Sequence, residues 1–269
     1  MIFFAMANLA TSSDLEAFLA GASSVCVLTG AGVSRESGVP TFRGEDGLWR
    51  KYRVEDLSTP EAFARDPVLV WEWYAWRREL ISQAQPNAAH LALVDLESSV
   101  LSRPNGHFTL ITQNVDGLHE RAGSRNVLRL HGSLWHLRCS RCGVEREDRR
   151  VPLDPLPPRC DCSGLLRPAV VWFGEPLPDQ EWAQATLAAA HADVFLVVGT
   201  SALVYPAASL PWAAKQSGAR LVEINPDPTP LSDVADCVLR GSACDVLGRL
   251  KIEGNSHRDT ESQRNMRQI

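Results

Sequence analysis

The stretch HFTLITQNVDGLHERAG, residues 107–123, decides the fold, because an apolar strand in it ends abruptly in polar groups. The run Phe108–Ile111 is typical of a buried strand. Side chains that form hydrogen bonds follow it closely: Gln113, Asn114, Asp116 and His119. A polar cluster directly after a buried strand predicts a ligand site at the mouth of a sheet.

Other apolar runs end in the same way, in small or polar residues: SSVCVLTGAG (23–32), DVFLVVGTS (193–201) and RLVEINPD (220–227). Helix-like segments stand before or between them: TSSDLEAFLAGA (11–22), NAAHLALVDLESSV (87–100), EWAQATLAAAHA (181–192) and SLPWAAKQSG (209–218). Strands that alternate with helices predict an α/β fold, a Rossmann-like parallel sheet with helices on both faces. Ligands of such sheets bind outside the carboxyl ends of the strands.

Composition narrows the class of protein. The chain has 269 residues and a net charge of −5, which argues against a nucleic-acid or membrane binder. No apolar stretch approaches the roughly 18 residues of a membrane span. The start, MIFFAMANLATSSD, lacks the basic flank of a signal peptide, and Met6 is an alternative initiator. We therefore expect a cytoplasmic protein with reduced thiols. Its oligomeric state stays open, a monomer being possible, and the polar residues 254–269 are expected to be a disordered tail.

The segment LTGAGVSRESGVPTFRG, residues 28–44, follows the first predicted strand. Gly30 and Gly32 would let the backbone approach a phosphate, although a tight turn that only packs a helix is an equal alternative. The spacing departs from the usual dinucleotide fingerprint with its third glycine. A long loop with Phe42 and Arg43 comes next, and such a loop can close over a bound cofactor.

Four of the seven cysteines form two close pairs, CSRC and CDC. The predicted ligands of one structural zinc ion are Cys139, Cys142, Cys160 and Cys162. The alternative is a pair of redox dithiols or ordinary free thiols. The segment between the pairs has little apolar core of its own, so a metal would supply its stability. The remaining cysteines are interpreted as small core residues: Cys26, Cys237 and Cys244.

His131, in RLHGSLWHLRC, lies eight residues before the first of these cysteines. A neutral imidazole is the natural general base near neutral pH. A structural histidine is the alternative, and six other histidines compete for the role.

Several of these motifs together resemble a known family. GAGVSRESGVPTFRG, TQNVDGLHERAG, LHGSL, the two thiol pairs, VVWFGE, GTS and INPD stand in the order and rough spacing of the sirtuins, NAD-dependent protein-lysine deacylases. The resemblance covers residues 15 to 250 approximately. It is closest to the bacterial and mitochondrial branch that removes acidic acyl groups, which carries Thr before the Phe-Arg pair, as Thr41 stands here.

The resemblance implies an NAD site built from residues of many segments: Gly30, Ala31, Gly32, Phe42, Arg43, Gln113, Asn114, Asp116, Gly199, Thr200, Ser201, Asn225 and Ala243. At the nicotinamide end, Arg43 and the glycine loop would hold the phosphates and ribose, and Phe42 would shield the reactive ribose carbon. Gln113 would line the pocket, Asn114 would orient the ribose and a water molecule, and Asp116 would bind the carboxamide.

At the other end, the GTS segment would meet phosphate and ribose, Asn225 would bind the adenosine ribose, and the Ala243 backbone would lie near adenine. His119 receives no role from the resemblance and is interpreted as a solvated helix residue.

The resemblance also implies a reaction in which NAD is consumed as a co-substrate. Nicotinamide leaves its ribose, the acyl-lysine oxygen attacks that carbon, and His131 acts as base toward the ribose hydroxyls. Asn114 is the second predicted catalytic residue. Water then releases lysine and 2′-O-acyl-ADP-ribose. The substrate would add as a strand between the Ala202–Pro206 loop and a segment that includes the predicted substrate-binding residues Val171, Trp172, Phe173 and Gly174.

The preference for one acyl group over another is predicted from WEWYAWRREL, residues 71–80. The pattern of this segment predicts a helix. Its core positions are predicted by spacing to be Trp73, Trp76 and Leu80. Tyr74 and Arg77 lie three apart and share a different face. Without the resemblance, this is a surface helix whose arginines pair with neighbouring glutamates, Glu72 or Glu79.

With the resemblance, Tyr74 and Arg77 fall on a Tyr-x-x-Arg pair that enters the acyl pocket. Ser58 is small and would leave room for a longer acyl chain. Desuccinylation and demalonylation are therefore expected to exceed deacetylation.

The predicted domains are a discontinuous Rossmann-like unit (12–44, 86–131 and 176–250) and a small domain formed by a helical insertion (45–85) and a zinc ribbon (132–175). Acylated lysines of proteins are the expected partners, with neither nucleic acid nor membrane. Two rival functions remain open at this point: a protein ADP-ribosyltransferase, and a non-catalytic module that binds NAD or ADP-ribose.

Overall fold

The computed structural model describes residues 11–42, 47–48 and 53–251. Arg43 and the predicted tail at 254–269 lie outside these residues. The described strands are β1 Ser24–Thr29, β2 His107–Thr112, β3 Val127–Arg129, β4 Gly132–Cys139, β5 Glu145–Glu147, β6 Leu166–Val170, β7 Val194–Val198, β8 Arg220–Ile224 and β9 Cys237–Leu239. The described α-helices are α1 Ser12–Ala20, α2 Val54–Leu57, α3 Pro60–Arg65, α4 Pro67–Gln83, α5 Ala88–Leu101, α6 Leu118–Ala122, α7 Asp179–Ala190, α8 Leu210–Gln216 and α9 Ala243–Leu247.

The larger sheet is parallel throughout, in the order β3-β2-β1-β7-β8-β9. This confirms the predicted α/β fold. The strand β7 is buried at every position, as expected of a strand covered on both faces. The strand order reverses between β1 and β7, and ligands of such sheets bind at the carboxyl ends of the strands beside this point.

Helices cover both faces of this sheet. Alternate residues of β1 point into different cores: Val25 and Val27 pack with residues of α1, α5 and α9, whereas Cys26 and Leu28 pack with residues of α7 and α8. The prediction missed β3 and β9, which are only three residues long. Strands of three residues are too short to show a hydrophobic pattern that distinguishes them from loops.

The smaller sheet is antiparallel, in the order β5-β4-β6. A third core joins it to the helical segment before it, through residues such as Trp71, Leu134 and Leu166. The helix α4 begins where Asp66 caps the backbone N–H of Leu69 at 3.0 Å, with Pro67 in its first turn.

The predicted core face of α4 is partly wrong. Trp73 is buried, but Trp76 is 38% exposed and Leu80 is only half-buried. Arg78 is buried instead, and its guanidinium donates to the carbonyl oxygens of Leu134 and Asp148. The smaller sheet and the segment after β5 present backbone carbonyls to α4, so Arg78 occupies a buried position at which spacing predicts an apolar side chain. No described helix has the length and apolarity needed to cross a bilayer.

Candidate active site

The loops after β1 and β7 touch each other. The Gly30 N–H donates to Val198 O at 3.1 Å, and the Gly32 N–H donates to Gly199 O at 2.8 Å. A Cβ on Gly32 would lie 2.7 Å from Gly199 O, and one on Gly30 would lie 2.6 Å from the Thr200 Cβ. These glycines therefore let two backbones meet, and both also line the cavity described below. The loop continues as a short 3₁₀ helix, Ala31–Ser37.

The polar residues after β2 lie at this junction. Gln113 Nε2 donates to Thr200 Oγ1 at 2.9 Å, and Asn114 Nδ2 donates to Gly30 O at 3.1 Å. Two amides at the mouth of the sheet thus tie the loop after β2 to the loops after β1 and β7. Both residues also line the cavity.

Asp116 is buried behind the cavity. Its carboxylate accepts from the Ser34 hydroxyl at 2.8 Å and from the Leu118 N–H at 2.9 Å. Burial raises the pKa of this carboxyl, and these two hydrogen bonds oppose the shift. Ser34 also lies 3.2 Å from Asn114 Nδ2. Sequence reasoning missed Ser34, because a serine in a loop is too common to be singled out.

The predicted solvated position of His119 is wrong, because its side chain is only 1% exposed. Its Nε2 lies 3.0 Å from Thr29 Oγ1, and its Nδ1 is buried with no hydrogen-bond partner among the described residues. The His90 ring packs against it at 4.8 Å. Burial lowers the pKa of His90 to about 4 and lowers that of His119 well below its ordinary value. The helix α6 turns inward, so a position that sequence assigns to solvent faces the sheet.

His131 lies directly before β4 and lines the cavity. Its Nδ1 is 3.1 Å from Gln113 O. A carbonyl oxygen only accepts, so Nδ1 carries the proton and Nε2 holds the free lone pair. Burial lowers the pKa of His131, partly opposed by this hydrogen bond, so the imidazole is neutral at pH 7.

A continuous cavity of about 1010 Å³ joins these loops. Most of the predicted site residues line it: Gly30, Ala31, Gly32, Phe42, Tyr74, Arg77, Gln113, Asn114, His131, Val171, Phe173, Gly174, Gly199, Thr200, Ser201, Asn225 and Ala243. Asp116 and Trp172 stand behind its wall instead, with side chains 4% and 2% exposed. One cavity therefore joins segments that lie far apart in the sequence.

One end of the cavity is formed by Asn225 and the loop 226–230 after β8. Asn225 Nδ2 donates to Thr200 O at 2.7 Å. The buried Glu223 accepts from Ser232 Oγ at 2.6 Å and from Arg240 Nη1 at 3.2 Å, and Arg240 also donates to Asp227 O at 3.1 Å. Sequence reasoning missed these hydrogen bonds of Glu223 and Arg240, because the sequence of a strand does not show which residues a charged side chain within it will contact.

Residues of α4 also line the cavity. Tyr74 and Arg77 both face the cavity, together with Ser58. The Arg77 guanidinium lies 4.8 Å from the Phe42 ring and 5.0 Å from the Trp73 ring. Across the part of the chain that the structure describes, Arg77 forms no hydrogen bond or ion pair, and it does not pair with Glu72 or Glu79. Burial lowers the pKa of its guanidinium, yet arginine remains charged at neutral pH.

The predicted peptide cleft has an exposed apolar rim. Phe173 is 44% exposed on one side, while Leu203 and Tyr205 are exposed on the other. The first side is fixed by backbone hydrogen bonds, from the Val171 N–H to His131 O and from the Phe173 N–H to Ser58 O, both 3.0 Å. Phe173, Leu203 and Tyr205 line the same cavity as His131.

The four predicted zinc ligands meet in the part of the chain built around the third core, which contains α4 and the smaller sheet and is called the small half below. Their Sγ atoms lie within 4.8 Å of one another, with Cys139 to Cys162 at 3.5 Å and Cys142 to Cys160 at 3.8 Å. Tetrahedral zinc with Zn–S bonds of about 2.3 Å needs sulfur atoms roughly 3.8 Å apart, so the cluster fits the metal. Backbone N–H donors, led by that of Cys142, lower the pKa of Cys139 to about 6, which favours the ligating thiolate.

Comparisons with known proteins agree with this geometry. Residues 30–206 match the model of the Sir2 family. An NAD-dependent protein deacylase of Aquifex aeolicus is 56% identical over 227 residues, which cover 84% of this chain and 93% of that protein. The crystal structure of a Sir2 homologue bound to NAD is 53% identical, covers 88% of this chain and 91% of that chain, and superposes with a TM-score of 0.82. A Sir2–p53 peptide–NAD⁺ structure is 32% identical, covers 89% of this chain and 97% of that chain, and gives a TM-score of 0.80.

Proposed function

The chain belongs to the Sir2 family and is an NAD-dependent protein deacylase, and we propose that it prefers lysine acyl groups that end in a carboxylate, such as succinyl and malonyl. The observation that carries this proposal is Arg77. Its buried guanidinium lines the cavity and forms no direct ion pair within the described chain, where the nearby Asp116 carboxylate attracts it only from a distance. A buried charge without a partner costs several kcal/mol, and a ligand carboxylate would supply that partner.

The part of the cavity beside Tyr74 and Arg77, called the acyl end below, presents two groups that can donate hydrogen bonds. A guanidinium grips a carboxylate through two parallel N–H donors, and the Tyr74 hydroxyl can add a third. Each hydrogen bond to a charged group contributes about 1.5–3 kcal/mol. An acetyl group ends in a methyl and offers these donors nothing. The small Ser58 beside Tyr74 leaves space for the longer acyl chain.

The residues around the reacting atoms position the co-substrate and exclude water. NAD supplies the ribose carbon at which the acyl oxygen is captured, with release of nicotinamide. His131 Nε2 is the atom placed to take a proton from a ribose hydroxyl, because Gln113 O holds the other nitrogen protonated. Phe42 and the Asn114 amide lie on the same cavity, where they cover the ribose and orient it. The proposed products are free lysine, nicotinamide and 2′-O-acyl-ADP-ribose.

The test is a comparison of one peptide carrying acetyl, succinyl, malonyl or glutaryl lysine, with turnover followed by mass spectrometry. The native enzyme should favour succinyl or malonyl over acetyl by about tenfold or more in kcat/KM. Acetyl-lysine as the better substrate would contradict the proposal.

Substitution of Arg77 gives the matched comparison. Arg77→Met should lower the ratio of desuccinylation to deacetylation at least tenfold, because it removes the guanidinium and keeps an apolar side chain. Arg77→Lys keeps a positive charge but cannot donate two parallel hydrogen bonds to a carboxylate. Its ratio of desuccinylation to deacetylation should therefore lie between those of the native enzyme and Arg77→Met. If both activities of Arg77→Met fall by the same factor, Arg77 has a structural role only.

A further inference from the structure

Trp172 stands behind the wall of the cavity, with its indole buried against Tyr74. Its Nε1 lies 2.8 Å from the Tyr74 hydroxyl oxygen, and the two rings lie 6.4 Å apart. The Trp172 side chain is 2% exposed and does not line the cavity. Any effect that this indole has on an acyl group therefore passes through Tyr74.

The direction of this hydrogen bond is fixed by chemistry. An indole N–H can only donate, so the Tyr74 oxygen is the acceptor. The phenolic proton must then point elsewhere. Burial raises the pKa of Tyr74, so the hydroxyl keeps that proton at neutral pH. Among the residues that the structure describes, the Ser58 hydroxyl also lies near the phenol, and its long distance of 3.4 Å makes it a weak acceptor.

We propose that Trp172 is a positioning residue that determines acyl specificity by making the Tyr74 hydroxyl a hydrogen-bond donor toward the cavity. This inference rests on the proposed acidic-acyl function. With the oxygen of Tyr74 occupied by the indole, its proton finds a strong partner only when an acceptor arrives with the acyl group. The acyl end thus presents donors from both Arg77 and Tyr74, an arrangement suited to a carboxylate.

The indole is itself held in place from β6, which carries Arg167. The Arg167 guanidinium lies 3.4 Å from the centroid of the Trp172 ring and donates to both carboxylate oxygens of Glu175, at 2.5 and 2.8 Å. The same carboxylate accepts from the Trp172 backbone N–H at 2.8 Å. Because both ends of Trp172 are fixed, its N–H keeps one direction.

The experiment replaces Trp172 by Phe, which keeps an aromatic ring under Arg167 and removes the N–H. The Tyr74 hydroxyl is then free to turn its proton away from the cavity. The ratio of kcat/KM for succinyl-lysine to that for acetyl-lysine should fall about tenfold, the size of one hydrogen bond to a charged acceptor. An unchanged ratio would overturn the inference.

A matched control is Trp71→Phe. Trp71 is also buried in the small half, and its Nε1 donates to Leu166 O at 2.8 Å. This change removes an indole hydrogen bond of the same length without touching Tyr74. It should lower the melting temperature but leave the acyl ratio unchanged. A ratio that falls equally in Trp71→Phe would show a general packing effect and contradict the specific role of Trp172.

A double-mutant cycle tests whether Trp172 acts through Tyr74. In a Tyr74→Phe background the hydroxyl is absent, so Trp172→Phe should change the acyl ratio less than twofold. A full tenfold effect in that background would overturn the inference. A native enzyme that prefers acetyl-lysine would refute the acidic-acyl function itself, whereas a succinyl preference that survives Trp172→Phe refutes only the role of Trp172.

Discussion

His131 shows how single atoms are prepared for catalysis. Its Nδ1 is held by Gln113 O at 3.1 Å, so the second nitrogen is left as the base. We expect His131→Ala to lower deacylation at least about a hundredfold, the usual scale of general-base catalysis. Steady-state assays with acylated peptide and NAD measure this loss.

The matched control for that change is His191→Ala. His191 is an exposed histidine at the end of α7, with Nδ1 on Leu187 O at 2.9 Å, and its substitution should leave turnover unaffected. Zinc content and melting temperature should match the native values in both variants. Near-normal turnover in His131→Ala would remove this residue from the mechanism.

The buried pair His90 and His119 makes stability depend on pH. Both have a pKa below 6.5 in the folded state because burial disfavours their charged form, about 4 in the case of His90. As the pH falls from 6.5 toward 4, the unfolded chain binds protons that the folded chain does not. The free energy of unfolding therefore falls as the pH is lowered, by at most roughly 1.4 kcal/mol per pH unit for each histidine.

Urea denaturation at pH 7 and pH 5 measures this effect. The variant His90→Gln cannot take up the proton, so its stability should change less between the two pH values than that of the native protein. A native stability that does not fall on acidification, or an equal fall in His90→Gln, would contradict this origin.

At the scale of elements, the contact between the loops after β1 and β7 is sensitive to a single methyl group. Gly199 has φ +60°, and a Cβ there would lie 2.6 Å from the Val33 N. We expect Gly199→Ala to lower stability by about 1–3 kcal/mol, the range of local backbone strain, and to weaken NAD binding. Thermal unfolding and calorimetry test both effects.

Gly21→Ala is the matched control for this change. Gly21 has φ −90°, and a Cβ there would meet nothing within 4 Å, so the substitution should leave both quantities nearly unchanged. Equal behaviour of the two alanine variants would show that the loop contact does not constrain the site.

At the scale of the whole molecule, the chain has separate cores in its two halves. Two cores cover the faces of the parallel sheet, and a third lies in the small half with the thiol cluster. The proposed phosphate and adenosine residues belong to the first half, whereas the acyl end belongs to the second. The cavity spans both halves, so we expect deacylation to require both halves. Binding of ADP-ribose is expected to require mainly the first half.

The variant Cys160→Ser tests this division. It should lose zinc, destabilise the small half and abolish deacylation, while ADP-ribose still raises the melting temperature of the protein. Metal analysis and thermal shift measure these outcomes. Cys244→Ser, outside the cluster, should keep the metal and the activity. Full zinc retention in Cys160→Ser, or loss of the ADP-ribose shift, would contradict the expectation.

The sequence by itself determined the features that arise from local pattern. The continuous apolar runs at β1, β2, β7 and β8 predict a parallel sheet, because strands covered on both faces exclude polar residues. The spacing of the four cysteines predicts a metal cluster, because ligands that are close in sequence meet at little entropic cost. The order of the motifs indicates the family, and with it an NAD-dependent deacylase.

Only the tertiary structure decided which side chains face each other across the molecule. Spacing places Trp76 in the core, and His119 is interpreted from the sequence as solvated, whereas the fold exposes Trp76 and buries His119. The Trp172 indole reaches Tyr74 across 98 positions of the chain, a contact that no local pattern encodes. The physical reason is that burial and hydrogen-bond direction depend on the partner element, and the partner is chosen when elements distant in the sequence pack together.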